Sequence, residues 1–428
     1  MKTGVIFFLK WLSKATLWRY RPKVIGITGS VGKTTTKDAI AFALSGNISL
    51  YATAKNYNNE IGVPLTILGI TSSPGKDFFS WFMLFLQSFF RLFFFPSYPK
   101  VLILEMGVDR PGDMDYLLSI VRPDICIVTD ISSSHIEFFK TLEAIAQEKG
   151  KLVESLSREG VAILNADNSY TWAMRKNSLG KVITYGFDKR ASLQAFNDSL
   201  MFEGGFSGMR VKIEYKENVI PLRLYHIITE HHLKAILASL VVCDVLGINL
   251  IEVIRKLEEF KPPAGRFRIL EGMGESILID DTYNASPAST REAISALKNL
   301  RKEHTVAVLG DMLELGKEEE KSHRDLAEDI KKAKINQIVL VGMRMKYLFE
   351  ALQGSNFSSE NLWWVKTPYE GAQIVSDIVD SGKVVLVKGS QSMRMEIIVE
   401  NIMKTPENKE SFLCRQNKEW KDTPFIQP

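Results

Sequence analysis

An apolar run that breaks into a glycine-rich turn is the feature that most restricts how this chain can fold. Residues 24–40 read VIGITGSVGKTTTKDAI, in which a strand-like run precedes the turn and a helix-like segment follows it. The turn is close to G-x-x-x-x-G-K-[ST], a loop whose backbone N–H groups surround phosphates, although Ile27 stands at the first glycine position. The order of strand, loop and helix predicts an α/β fold that binds a nucleoside triphosphate.

The residue types in this loop suit phosphate binding. Lys33 is predicted to neutralise the β- and γ-phosphates, and the Thr34 hydroxyl is predicted to contact Mg²⁺. A chance Gly-Lys-Thr turn is the alternative, and the strand before it and the helix after it argue against that interpretation. The residues of this segment predicted to surround ATP are Thr28, Gly29, Ser30, Gly32, Lys33, Thr34 and Thr35.

Length and composition exclude several classes of protein. A chain of 428 residues is too long for one core, so two or three domains are expected. The net charge of +4 is too small to indicate nucleic acid, and no nucleic-acid partner is expected. Three cysteines without a CxxC pair predict neither disulfides nor a zinc site, and they indicate a reducing, cytoplasmic setting.

The segment before the loop is basic and apolar. Residues 1–37 contain no Asp or Glu. The cations that precede the loop are Lys2, Lys10, Lys14, Arg19, Arg21 and Lys23. A signal peptide is rejected, because cleavage would fall almost against the phosphate loop. Two interpretations of residues 1–23 stay open: an amphipathic helix on a membrane surface, or a helix packed on the first domain.

A second apolar segment, FFSWFMLFLQSFFRLFFF at residues 78–95, is rich in phenylalanine. It is long enough to span a membrane. A span would place the phosphate loop and the strand that starts at Val101 on opposite sides of the bilayer, so spanning is excluded if both segments build one site. A half-inserted helix or hairpin and a buried helix remain, and the many aromatic residues favour contact with a membrane or a partner.

The remaining sequence alternates strand-like and helix-like segments. This pattern predicts a P-loop central domain with a mainly parallel sheet and, from about 181 to 224, a small antiparallel β appendage. A Rossmann-like α/β C-terminal domain is predicted after the KPPAGR linker. The predicted divisions are an N-terminal arm at 1–23, a central domain at 24–262 with an apolar insertion at 78–95, a C-terminal domain at 263–405 and a polar tail at 406–428.

The shortened loop motif resembles that of the Mur ligase family, whose members form amide bonds with ATP during bacterial cell-wall assembly. The resemblance covers residues 24–405, and within the family this sequence is most similar to the MurF branch. The matching segments include NYNNEIGVPLTIL, LEMGVDRPGDM, DISSSHIEFF, AIAQEKGKL, GRFRILEG, DDTYNASPAS, LGDMLELG and VLVKGSQSM. Several segments in the same order carry this resemblance.

The resemblance implies roles for individual residues. The catalytic residues would be Lys33, His135 and Lys149, and the Mg²⁺ ligands would be Thr34, Glu105, His135 and Lys149, with Lys149 carbamylated by CO₂. Arg266 and Asp281 would contact ATP from the second domain. The substrate-binding residues would be Asn56, Asn58, Asn59, Tyr283, Asn284, Lys388 and Ser390.

Some of these residues also have a chemical rationale of their own. Glu105 follows the buried run VLIL, and a carboxylate at a strand end is a suitable Mg²⁺ ligand, although a surface acid is the alternative. Lys149 lies in a helical EKGK run that would ordinarily be solvated, so only the resemblance supports its carbamylation.

The implied reaction joins a muropeptide-like carboxylate to an amine dipeptide such as D-alanyl-D-alanine, through an acyl phosphate, in a monomeric enzyme. Three departures stand out: only about 23 residues precede the loop where the family has a UDP-binding domain, Ala235 replaces an asparagine, and Gln391 replaces an arginine. A different or lipid-linked acceptor, a P-loop ATPase and a binding protein at the membrane are the alternatives.

Overall fold

The computed structural model describes residues 2–53, 58–70, 78–94, 96–132, 136–201, 208–300, 304–355, 357–380, 382–417, 420, 422 and 425. The chain divides into two compact units, of which the first ends at Phe260 and the second begins at Lys261. Both units combine helices with a mainly parallel sheet, so the predicted α/β fold class is confirmed.

The elements of the N-terminal unit alternate between strands and helices. They are α1 (Lys2–Tyr20), β1 (Lys23–Thr28), α2 (Lys33–Leu44), β2 (Leu50–Ala52), α3 (Gly62–Ile67), α4 (Phe78–Phe94), β3 (Val101–Glu105), α5 (Asp113–Leu118), β4 (Ile125–Val128), α6 (Ile136–Phe139), α7 (Leu142–Glu154), β5 (Val161–Asn165), α8 (Ser169–Ala173), β6 (Lys181–Gly186), β7 (Leu193–Met201), β8 (Gly208–Tyr215), β9 (Asn218–Leu224), α9 (Glu230–Val245) and α10 (Leu250–Leu257).

These strands form one nine-stranded sheet in the order β2-β3-β1-β4-β5-β6-β7-β8-β9. Pairing is parallel from β2 to β7, and β8 is antiparallel to both of its neighbours. The antiparallel part of the sheet therefore begins at Leu193, later than the predicted start of the appendage at about 181. Strand β6 belongs to the parallel part of the sheet.

Both faces of this sheet are covered by apolar side chains, as parallel sheets require. Ile25 and Ile27 of β1 point into a core shared with α2, α9 and α10. Val24 points to the opposite face, where α7 packs on β1 and α3 packs on β3. Burial on both faces explains why the strands read as continuous apolar runs in the sequence.

The two apolar segments noted in the sequence form α1 and α4, which pack against each other. Helix α1 also packs against α3. Leu9 and Leu12 of α1 share a small core with Leu84 of α4 and with Leu65 and Leu68 at α3. In the described part of the chain, neither these helices nor any other has the length and apolarity needed to span a membrane. Each of the two helices therefore has one docked face.

The C-terminal unit is a second α/β layer structure. Its elements are β10 (Arg268–Glu271), β11 (Ile277–Asp281), α11 (Pro287–Asn299), β12 (Thr305–Gly310), α12 (Glu319–Ala333), β13 (Gln337–Val341), α13 (Met345–Gln353), β14 (Leu362–Val365), α14 (Pro368–Ile378), β15 (Val384–Lys388), α15 (Glu396–Ile402) and α16 (Lys409–Phe412). The six-stranded sheet has the order β10-β11-β15-β12-β13-β14, and only β10 is antiparallel.

The first part of the predicted polar tail packs onto this unit. Leu413 is buried in the core beneath β11 and β15, and the side chain of Arg415 is buried as well. Few residues in this segment are apolar, and the sequence alone therefore did not indicate that it is anchored.

Replacing Leu9 with Ala tests whether α1 is held by its buried face. Leu9 is fully buried, so we expect Leu9→Ala to lower the free energy of unfolding by about 2–5 kcal/mol. The matched control is Phe7→Ala on the same helix, which is 66% exposed and should change stability by less than about 0.5 kcal/mol. Denaturant unfolding followed by tryptophan fluorescence measures both, and equal stabilities would show that this face is not packed.

Candidate active site

The glycine-rich loop joins the carboxyl end of β1 to the first turn of α2. Its backbone passes close to the end of β4: the Ser30 N–H donates to the Asp130 carbonyl at 2.7 Å. Gly29 has φ +146°, and a Cβ there would lie 2.0 Å from the Thr129 hydroxyl, so only glycine fits. The loop is thus held by its neighbouring strand, with the N-terminus of α2 open to an anion.

Lys33 and Thr34, the first two residues of α2, differ in what they contact. The Lys33 Nζ donates to the Gly29 carbonyl at 2.8 Å, which keeps the ammonium group over the loop. The Thr34 hydroxyl lies 3.2 and 3.1 Å from the two carboxylate oxygens of Glu105 at the end of β3. Two residues predicted separately from the sequence are therefore in direct contact.

Glu105 is 3% exposed and is held from two sides. Its backbone N–H donates to the Thr53 hydroxyl at 2.9 Å, and Asn58 Nδ2 approaches Oε1 at 3.5 Å. Asn59, predicted to bind substrate, makes different contacts: its Oδ1 accepts from backbone N–H groups at the start of α3, at 3.2 and 3.0 Å. Asn56 and His135 lie outside the described residues.

Lys149 is buried in α7 with 1% of its surface exposed, contrary to the solvated position that its EKGK context suggests. Its Nζ donates to the Val108 carbonyl at 3.5 Å. Burial, followed by the nearby charge of Lys33, lowers the pKa of Lys149 to about 7. The lowered pKa makes the neutral, nucleophilic form of the Lys149 amine easier to reach near neutral pH.

The helix around Lys149 also anchors the loop that follows β3. Glu148 accepts backbone N–H groups of Gly112 and Met114 through Oε1, each at 2.9 Å, and its other oxygen pairs with Lys151 at 2.7 Å. These contacts join α7 to the segment that contains the Val108 carbonyl. Glu148, the neighbour of Lys149 in the sequence, thus links α7 to the loop after β3.

The other side of the phosphate loop faces α9. His231 lies so close to Gly32, whose φ is +87°, that a Cβ at Gly32 would come within 2.7 Å of its ring. A small cavity here is lined by the loop, Asp130, Tyr185, His231 and Ala235. Ala235, one of the positions that departs from the family pattern, therefore lies beside the loop.

In the C-terminal unit, most of the predicted residues gather at the carboxyl ends of β11 and β15. Lys388 Nζ pairs with Asp281 Oδ2 at 2.6 Å and donates to the Asn284 carbonyl at 3.0 Å. Burial raises the pKa of Asp281 above its usual range, and the charge of Lys388 opposes that shift. The ion pair is almost fully buried and fixes the loop that follows β11.

Tyr283 and Arg266 stack on each other, with the guanidinium carbon 3.7 Å from the ring centroid. Ser390 holds the neighbouring turn by accepting the Leu313 N–H at 2.9 Å and donating to the Ala285 carbonyl at 3.3 Å. Arg266, Asp281, Tyr283, Asn284 and Lys388 therefore form one connected cluster within this unit, with Ser390 at its margin.

Sequence reasoning missed the residues that support this cluster from behind. Arg415 donates to the carbonyls of Thr282 and Tyr283 at 2.5 and 3.1 Å, and it pairs with Glu396 at 2.6 Å. Glu396 is shared with Arg394, also at 2.6 Å. More than a hundred residues separate Arg415 from the loop, and no local pattern signals such a contact.

The donors at the phosphate loop suit Mg²⁺. The hydroxyl of Thr34 and the carboxylate of Glu105 are hard oxygen ligands, and Mg²⁺ usually binds to one or two carboxylates together with substrate phosphates. Among the residues whose placement is described, no group of three or more His, Cys, Asp or Glu side chains could hold a metal ion. The residues present therefore fit a metal that is shared with a nucleotide.

Family comparisons agree with this geometry. The Mur ligase middle domain matches residues 27–79 and 88–243, and the Mur ligase glutamate ligase domain matches residues 265–391. The chain belongs to the Mur ligase family and is an ATP-dependent ligase. The middle-domain match is interrupted at residues 80–87, which lie within α4.

Individual relatives are similar over most of their length. The UDP-N-acetylmuramoyl-tripeptide–D-alanyl-D-alanine ligase of Buchnera aphidicola subsp. Baizongia pistaciae is 30% identical, over 89% of this chain and 75% of that protein. The enzyme of that name from Bacillus subtilis is 28% identical over 93% and 79%. The crystal structure of MurF ligase from Thermotoga maritima in complex with ADP is 26% identical, with a TM-score of 0.75 over 94% of this chain and 84% of that one.

Arg415→Met tests whether the tail segment holds the loop after β11. Removal of the buried Arg415 guanidinium leaves Glu396 with one partner fewer. We therefore expect a loss of about 3 kcal/mol in the free energy of unfolding and faster amide exchange at residues 282–285. The control is Lys404→Ala, since the Lys404–Glu271 pair is exposed and should contribute little. Unchanged exchange in folded Arg415→Met protein would contradict the anchoring role.

Proposed function

We propose that this protein is a cytoplasmic, MurF-type ligase that joins the carboxylate of a muramoyl-tripeptide-like substrate to a D-alanyl-D-alanine-like dipeptide, with conversion of ATP to ADP and orthophosphate. The observation that carries the proposal is the contact between Thr34 and Glu105 beside the phosphate loop. The substrate class follows the printed names of the relatives, which are similar over most of this chain.

The N-terminal unit would hold and activate ATP. The loop N–H groups and the N-terminus of α2 bind the phosphates, and Lys33 neutralises their charge. Thr34 and Glu105 would hold Mg²⁺, which when bound spreads the charge of the phosphates and polarises them. The substrate carboxylate attacks the γ-phosphorus, the bond to the β-phosphate oxygen breaks, and an acyl phosphate and ADP result.

Amide formation follows from the acyl phosphate. The amine of the dipeptide attacks the acyl carbon, orthophosphate leaves, and the amine loses a proton to solvent or a nearby base. We assign recognition of the dipeptide to the polar cluster of Tyr283, Asn284 and Lys388, whose donors and acceptors suit a zwitterionic peptide. Arg266 and Asp281 are proposed as ATP contacts.

Lys149 is proposed to carry a carbamate. Its neutral Nζ would attack the carbon of CO₂, forming an N–C bond while one C=O electron pair moves to oxygen and the nitrogen loses a proton. The charge of Lys33, which disfavours a Lys149 cation, favours this anion in the same position. His135 and the carbamate are proposed as further metal ligands, and Asn56, Asn58 and Asn59 as substrate contacts.

A second proposal concerns location. We propose that α1 and α4 contact a membrane surface peripherally, because both helices expose large aromatic side chains. A lipid-linked acceptor is the alternative substrate that this contact favours. The protein is expected to act as a monomer.

The ligase assignment is tested by phosphate release in the presence of ATP, UDP-N-acetylmuramoyl-tripeptide and D-alanyl-D-alanine. Release should require all three, and Lys33→Ala should reduce it by more than about 10³-fold, because the phosphate charge loses its counter-ion. Lys33→Arg should also be strongly impaired, since a guanidinium does not replace the point charge of an ammonium. Phosphate release without an amine, or near-normal turnover by folded Lys33→Ala, would overturn the assignment.

Lys149→Ala tests the carbamate. We expect turnover to fall by about 10²-fold or more and short carboxylates such as formate to restore part of it. The parent enzyme should lose activity when bicarbonate and CO₂ are removed, and should lose it more readily at low pH, where the amine is protonated. Gln147→Ala, on the exposed side of the same helix, should keep its activity and its bicarbonate response. Full activity of folded Lys149→Ala would remove this residue from the site.

A further inference from the structure

The outer face of α1 and α4 is the largest feature of the structure that the ligase reaction does not use. On α1, Trp11 and Trp18 are 51% and 76% exposed. On α4, Phe82, Phe90 and Phe94 are 51%, 49% and 71% exposed. Most exposed large apolar side chains of the described residues lie on these two helices, and soluble surfaces rarely expose such a continuous patch.

This aromatic face is exposed although the opposite sides of the helices are well packed. Leu9, Leu12 and Leu84 are buried between α1, α3 and α4. The rings of Phe8 and Phe85 lie 5.8 Å apart and join the two helices at their margin. The helices are therefore docked, and their outer residues form a single surface rather than two loose ends.

Positive charge collects at one end of the same surface. Tyr20, the last residue of α1, donates to the Arg91 carbonyl near the end of α4 at 3.1 Å. The Lys23 N–H donates to the Lys100 carbonyl at 2.8 Å, which places two more cations at this edge of the sheet. Residues 1–37 and 78–104 contain no Asp or Glu, so no carboxylate from these segments offsets the charge.

A polar cavity opens beside this basic end. It has a volume of about 180 Å³ and lies between α1, α4 and β2. Its wall includes the guanidinium of Arg91 together with Tyr20, Tyr98, Ser88 and Ser97. Arg91 Nη1 donates to the Leu68 and Gly69 carbonyls. The hydroxyls of Tyr20, Tyr98 and Ser88 donate to other backbone carbonyls. The Nε and Nη2 groups of Arg91 are therefore the donors that this cavity offers to a phosphate ester.

We propose that the aromatic face of α1 and α4 docks on an anionic phospholipid bilayer and that the cavity at Arg91 receives one lipid phosphate. The rings enter the interfacial layer, and the cations at the end of the face lie among the headgroups. This inference rests on the peripheral membrane contact proposed above and specifies its lipid and its site. It does not depend on the ligase reaction.

The charge distribution favours a bilayer over the other candidate occupants. A second copy of the chain would bring two surfaces of the same sign together, which is repulsive. An anionic bilayer supplies both an apolar layer for the rings and negative charge for Arg19, Arg21 and Lys23. Residues 80–87 of α4, which include Phe82, also fall outside the family-model match.

Flotation of the full-length protein with vesicles tests docking. The protein should float with phosphatidylcholine vesicles that contain phosphatidylglycerol, and binding should weaken as salt is raised. Changing three exposed rings of α4, Phe82→Ser, Phe89→Ser and Phe93→Ser, should reduce binding by at least about tenfold. The control Phe138→Ser replaces an exposed ring on α6, away from this face, and should bind like the parent.

The cavity is tested by two substitutions that keep the charge. Arg91→Lys removes the guanidinium fork and should weaken binding to anionic vesicles several-fold, whereas Arg19→Lys at the exposed helix end should not. Equal behaviour of these two variants would overturn the phosphate site while leaving docking in place. An unchanged circular dichroism spectrum and melting temperature of Arg91→Lys shows that the variant is folded.

Failure of docking is distinguishable from failure of the ligase function. The phenylalanine variants should keep phosphate-releasing activity with soluble substrates, because these residues lie outside the candidate active site. A parent protein that stays unbound with all vesicles, or that elutes as a dimer which the phenylalanine substitutions dissociate, would overturn the membrane proposal whatever the ligase assay shows.

Discussion

The position of β1 between β3 and β4 is the constraint on which the candidate site depends. Parallel pairing in register brings the carboxyl ends of these strands to one edge of the sheet, with Ile27 beside Glu105 and Thr28 beside Val128. The phosphate loop starts at that edge, so Thr34 meets a carboxylate from one neighbour and Ser30 meets a carbonyl from the other. The burial of β1 on both faces holds this arrangement rigidly.

Burial also determines the chemistry of the charged residues. Lys149 lies in a place where an ammonium ion is disfavoured, and this is a cost to folding unless the amine is neutral or converted to an anion. Asp281 is buried with Lys388, and Glu396 is buried with Arg394 and Arg415, so each of these charges contacts a charge of opposite sign. Both sets of buried charges lie beside the loop after β11 and hold its polar groups in position.

The aromatic face of α1 and α4 differs from the rest of the protein, because it leaves large apolar side chains exposed. The same helices use leucines to dock on the N-terminal unit and use phenylalanine and tryptophan on the outside. A helix needs only one apolar stripe to pack on a domain. The second stripe and the basic end of the face are the observations on which the membrane proposal rests.

The sequence by itself determined the parts of this protein that depend on local pattern. Apolar runs predicted the strands, the glycine-rich turn with Lys33 and Thr34 predicted the phosphate loop, and an acid after VLIL predicted Glu105 at a strand end. These predictions succeeded because residues near in sequence form them, and parallel strands end at a common edge. The roles of individual residues, including His135 and Asn56 outside the described part, stay predictions.

Only the tertiary structure decided the features that depend on residues distant in sequence. Lys149 sits in a run that reads as solvated, and its burial arises from packing against the loop after β3. Asn59 resembles its neighbour Asn58, yet its Oδ1 accepts backbone N–H groups at the start of α3. Arg415 reaches the loop after β11 from a polar tail. Long-range contacts of this kind leave no periodic signal in the sequence, because each is formed by side chains that the fold brings together.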